Sequence, residues 1–270
     1  MLKRIILLYA LVLFSFGLAS AQSTVTKDPN ALSLLSAAVS ALASGTSISN
    51  VTLTGTVTRT AGSDVETGSV TLEAFGGVDS RINLALTNGQ RSEIINQSQG
   101  APVGQYSGPD STVHLMAVHN CWIPASWFFP ALALAEALND PAVTITYIGQ
   151  ETRNGEAVQH VRFSRVLPGE NGTAEALAQF RALSAADVYL DAANSLPVEL
   201  DFNLHPDKNA SVDIPAEVRY SGYQKVGGIL LPTHIQKLIN HSLYLDLNVT
   251  GAAINANLSS ADFAITATGK

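Results

Sequence analysis

Along residues 51–58 apolar and polar positions alternate: Val51, Leu53, Gly55 and Val57 stand against Thr52, Thr54, Thr56 and Thr58. A strand turns successive side chains to opposite faces, so period two predicts a strand with one apolar face and one polar face. Val70, Leu72 and Ala74 repeat the pattern, as do residues 78–86, where Ile82, Leu84 and Leu86 share a face, and residues 90–96. Gly76-Gly77 and Asn88-Gly89 separate these runs. Such pairs adopt the positive φ of tight hairpin turns, so the runs predict a meander. At 97–110 the alternation stops. Gly100, Pro102, Gly104, Gly108 and Pro109 predict a long loop there.

Alternation returns at 143–150 and 157–166 around Asn154-Gly155, then at 188–191. Val198, Leu200, Phe202 and Leu204 follow, then 218–226 and 229–239 around Gly227-Gly228, then Leu243, Leu245, Leu247 and Val249. Helical spacing appears in three places. Asp28 and Pro29 open one helix, Leu32, Leu35, Val39 and Leu42 form its stripe, and Gly45 ends it. A second starts at Ser126 or Pro130 and runs to Leu138, before Asn139-Asp140-Pro141. Thr173 caps a third that carries Leu177, Phe180 and Leu183. About ten strands and three helices, with no linker, predict an α+β fold. Its core is one large curved antiparallel sheet, an incomplete β-barrel, with helices covering one side.

Composition narrows the function. The chain is 46% hydrophobic and only 14% charged, with a formal net charge of −7. Apolar richness argues against disorder. The acidic balance excludes the basic stripe of a nucleic-acid-binding surface. A single cysteine, Cys121, excludes an intrachain disulfide and any multi-cysteine metal site. Lys3 and Arg4, the apolar run 5–18 and Ala19-Ser20-Ala21 form a secretory signal peptide, cut after Ala21. The expected division is therefore a signal peptide at 1–21 and a single domain at 22–270. The apolar run is shorter than the roughly 18 residues a membrane span needs, which speaks against an uncleaved anchor, and the mature chain is expected to carry no transmembrane span. The expected location is the periplasm, with the extracellular space as the alternative.

Candidate chemistry is sparse. No nucleophile elbow, zinc-protease helix, phosphate loop or dinucleotide fingerprint occurs, so neither catalysis nor a cofactor is expected. His114, His119, His160, His205, His234 and His241 are dispersed. Glu199 and Asp201 share the polar face of one strand and read as a solvated pair. Cys121 reads as a buried, inert thiol; the sharper alternative makes it a nucleophile or ligand with His119 or His114. Trp122, Trp127, Phe128 and Phe129 form an aromatic cluster next to the 97–110 segment, either a core plug or the mouth of an apolar pocket.

Three segments of the last third carry a resemblance. They are Asp191-Ala-Ala-Asn-Ser-Leu-Pro-Val-Glu-Leu200, then Gly227-Gly228-Ile229 with Leu231-Pro232-Thr233, then Asn255, Leu258-Ser259 and Asp262-Phe263. Together they resemble the periplasmic lipoprotein-carrier superfamily, LolA/LolB-like. The resemblance implies an incomplete antiparallel barrel, closed by helices over an apolar cavity that shields lipoprotein acyl chains in transit. It also implies a functional arginine in the third strand, a place filled here by Arg81.

Alternation and aromatic clustering put Leu84, Leu86, Trp122, Trp127, Phe128, Leu200, Phe202, Ile229, Leu231, Leu245 and Leu247 against such a cavity, or in a filled core. The expected partner is an apolar ligand or a lipoprotein acyl chain. The alternative is a non-catalytic scaffold or assembly module of the bacterial envelope, with a protein partner and a filled core. A cavity of roughly 300 Å³ or more near Trp127 is the mark of the first reading.

Overall fold

The alternating segments pair with their sequence neighbours into two antiparallel meanders. In the computed structural model, residues 25–97, 101–166 and 173–266 are described. The segment 1–21, read above as a signal peptide, lies outside them. The first meander holds β1 (Asn50–Ala61), β2 (Asp64–Phe75), β3 (Asp79–Leu86), β4 (Gly89–Asn96), β5 (Val103–Ser107) and β6 (Val113–Leu115). The second holds β7 (Val143–Arg153), β8 (Glu156–Arg165), β9 (Ala186–Asp191), β10 (Pro197–Leu204), β11 (Ile214–Val226), β12 (Ile229–Ile239) and β13 (Ser242–Ile254). β1 pairs with β13, which joins the meanders into one sheet of 13 strands. The sheet stays open, with β6 at one edge and β7 at the other.

Two short strands depart from the sequence reading. Residues 97–110 are not one loop, because β5 runs inside them against β4, and β6 follows. Val103 and Tyr106 are the only large apolar side chains of β5, so its period is invisible without the template beside it.

The apolar positions of the strands converge on one face, here the inner face. The register sets Leu53 beside Leu72, Leu72 beside Ile82, and Ile235 beside Leu247. Helix α1 (Pro29–Ala43) and helix α2 (Pro130–Asn139) cover that face and pack on each other. Asp28 caps α1 by accepting from the amides of Asn30 and Ala31. Ser44, in the left-handed region, ends it one residue before the expected Gly45. Leu35 and Leu42 are fully buried, while Leu32 and Val39 lie at the edge of the buried stripe. Lys27 donates to the carbonyls of Leu138 and Asp140, tying the start of α1 to the end of α2. Helix α3 (Ala174–Leu183), capped by Thr173, joins β8 to β9. Among the described residues, no helix is long and apolar enough to cross a membrane.

Candidate functional site

The site is built by a crossing. β6 and β7 lie at opposite edges of the sheet, so residues 116–142 must pass over the inner face to connect them. This passage carries the aromatic cluster inward. Trp127, Phe128 and Phe129 are each at most 1% exposed. Tyr220 from β11 donates its hydroxyl to the Trp127 carbonyl at 2.5 Å, and Ser126 donates to the Gly77 carbonyl at 3.3 Å. The crossing is thereby pinned to the sheet from both meanders.

Between this passage and the walls formed by β3, β4, β12 and β13 lies a cavity of about 320 Å³. Ile82, Leu84, Trp127 and Leu245 give it apolar walls. Tyr106, Asp110 and His114 stand on its exposed side, and Tyr106 stacks on His114 with ring centroids 5.3 Å apart. Two surface hollows, of about 490 and 550 Å³, are lined largely by polar groups and do not reach Trp127.

Charged side chains share the inner face with these apolar ones. Arg59 is paired with Glu66 in register, and Arg91 stands opposite Leu84. Arg59 donates to the Glu66 carboxylate at 2.7 Å and Arg91 donates to the same oxygen at 2.8 Å. Burial would raise the Glu66 carboxyl, but the hydrogen bonds from Arg91 and Arg59 hold it below its usual value.

Lys237 lies between Val218 and Leu245 in the register. It is 5% exposed and lines the cavity, with its Nζ 4.5 Å from the Trp127 ring centroid and 5.6 Å from that of Phe202. Burial lowers its pKa, partly countered by the Glu93 carboxylate on the opposite wall.

The sequence-selected residues fall in four places. Leu84, Trp127 and Leu245 line the cavity. Leu86, Phe128, Leu200, Phe202, Ile229, Leu231 and Leu247 are buried in the contiguous core around it. Trp122 packs edge-on against Phe180 of α3, at 4.7 Å. Arg81 points to the outer face. There it pairs with Glu73 at 2.6 Å, donates to the Asp262 carbonyl at 2.8 Å and lies 5.8 Å from the Phe263 ring centroid. It is therefore a clamp for the C-terminal turn, not a cavity residue.

Two chemical readings also change. Cys121 is fully buried, and burial pushes its thiol up to about 12, so the nucleophile alternative falls away. His119 instead sits 3.1 Å from the Pro206 carbonyl. Glu199 and Asp201 are not a solvated pair. Glu199 is 2% exposed and is ion-paired to Arg153 at 2.8 Å. Burial, then the neighbouring Glu199 charge, pushes the Asp201 carboxyl up to about 7.

Lys237, Arg91 and Glu93 are the site residues that the sequence reading missed. The signal was present, because Lys237 shares strand parity with Ile229, Leu231 and Ile235.

The two meanders and the helix-covered inner face together give a LolA-like fold. Three solved structures share it. An outer membrane lipoprotein-sorting protein domain, so assigned, from Vibrio parahaemolyticus is 12% identical, with a TM-score of 0.52 over 87% of this chain and 96% of that one. A LolA superfamily protein from Nitrosomonas europaea is 11% identical, with a TM-score of 0.54 over 87% and 97%. A DUF1329 family protein from Desulfovibrio piger is 12% identical, with a TM-score of 0.53 over 87% and 97%. No family model matches the sequence, and no curated protein matches it.

Proposed function

We propose that this protein binds one apolar chain, from a lipid or the lipidated end of a lipoprotein, in the cavity beside Trp127. It shields that chain from water in an exported compartment, and no catalysis is involved. The observation that carries this reading is the cavity itself. About 320 Å³ stays open between Leu84, Trp127 and Leu245, beside the contiguous buried core. A scaffold needs no such void, so the cavity favours binding over the envelope-scaffold alternative. The fold and the signal-peptide pattern at 1–21 support the same reading.

The test is extraction. The protein is expressed with its own leader in a bacterial periplasm, purified without detergent and extracted with organic solvent for mass spectrometry. An acyl-containing species near one per protein is expected. A clean extract, together with no uptake of an added acyl probe, contradicts the reading.

A further inference from the structure

We propose that the guest of this cavity is a single-chain amphiphile with a carboxylate head, seated on the Lys237 ammonium. The proposal rests on the binding role above and names its ligand class. It starts from placement. The register aims Lys237 at the inner face among Val218, Leu245 and Ile235, where a strand would ordinarily present another aliphatic side chain. Its Nζ has two aromatic rings for company and makes no hydrogen bond or ion pair with any described group. Ring faces recover only part of what a buried ammonium loses on leaving water.

Other donors around the cavity also lack partners. Two N–H groups on other cavity-lining residues, Trp127 Nε1 and Arg91 Nε, are buried without an acceptor. The nearby carboxylates are engaged or distant. Glu66 takes both Arg59 and Arg91 on one oxygen, its second oxygen being buried without a donor, and Asp110 is held by the amide and hydroxyl of Thr112. Glu93 acts on Lys237 only from beyond ion-pair distance. An incoming carboxylate supplies what is lacking, an anionic acceptor within charge-assisted hydrogen-bonding reach of Nζ. The apolar walls at Ile82, Leu84 and Leu245 then take its chain. A cavity of about 320 Å³ is at the small end of ligand sites, which fits one chain and not a multi-chain lipid.

Titration calorimetry of the delipidated protein with dodecanoic acid and dodecan-1-ol tests the proposal without a mutation. The acid is expected to bind at least about tenfold more tightly than the alcohol. Lys237→Met should bring that ratio close to one, and Glu93→Gln, which removes a like charge from the wall, should tighten acid binding several-fold. Equal binding of acid and alcohol, or a ratio that survives Lys237→Met, overturns the carboxylate assignment and leaves chain binding standing. Dodecyl phosphate binding about tenfold more tightly than the acid also overturns it, in favour of a phosphate head. If neither acid nor alcohol binds, both this proposal and the binding role fail.

Discussion

Lys237 shows how much a single residue can reveal. Its place on the apolar parity of β12 is legible in the sequence, since Ile229, Leu231 and Ile235 precede it at even spacings. What the sequence does not contain is the neighbour at each side. Only the register with β11 and β13 shows that the position is enclosed by Val218 and Leu245 and not at a wet strand end. The same holds for Glu199, whose polar parity predicts solvent although Arg153 pairs with it. An ammonium kept in such surroundings without a partner is a cost to folding. Lys237→Met, which keeps the volume and removes the charge, should therefore stabilise the empty protein by about 1–3 kcal/mol in thermal or urea unfolding. Unchanged or lower stability would show that Lys237 already has a satisfactory partner.

The elements were mostly legible because hairpin turns and periodicity are local. Asn154-Gly155 and Gly227-Gly228 each close a hairpin where expected, whereas the turn between β3 and β4 falls one residue earlier than Asn88-Gly89, at Thr87-Asn88, because Leu86 pairs with Gly89. β5 and β6 were hidden, because their pairing comes from β4 and not from their own composition. Helix α2 was legible as a helix, but its seat was not. That seat depends on Gly77, in the turn between β2 and β3. A Cβ there would lie 2.9 Å from both the Leu132 carbonyl and the Glu136 Cβ, and its φ is +78°. Gly76 also has positive φ, but a Cβ there meets nothing nearer than Val78 at 3.6 Å. Gly76→Ala should thus carry only a conformational cost of about 1 kcal/mol. Gly77→Ala should add a steric cost of roughly 1–3 kcal/mol by pushing α2 off the turn. Chemical denaturation of the two variants reads the difference, and equal losses would mean that α2 does not depend on this contact.

The whole molecule follows from one non-local pairing. β1 against β13 forces the two outer strands, β6 and β7, to opposite edges, and the chain between them must then cross the inner face. No local pattern encodes that pairing, so the sequence could set Leu84, Trp127 and Leu245 beside a cavity but not show the crossing that walls it. The small charge content is spent unevenly. The outer face of β1 is Thr-rich, whereas Arg153, Asp187, Glu199, Asp201 and Glu217 crowd the strands of the second meander. This crowding makes stability depend on pH. Asp201 titrates at about 7 when folded and near the ordinary value of about 3.9 when unfolded. The folded state therefore holds a proton that the unfolded chain releases, and stability falls as pH rises through that window. Asp201→Asn should match the wild type near pH 4 and exceed it by about 1–3 kcal/mol at pH 8; a gain of equal size at both pH values would contradict the shift. The central claim, a chain-binding cavity beside Trp127, is tested most directly by fluorescence. With Trp122 replaced by Phe, Trp127 is the only indole, and a fatty acid brominated along its chain quenches an indole only on contact. Saturable quenching at one chain per protein is the predicted result. Undiminished Trp127 emission at concentrations where the acid binds would place the chain elsewhere and contradict the account.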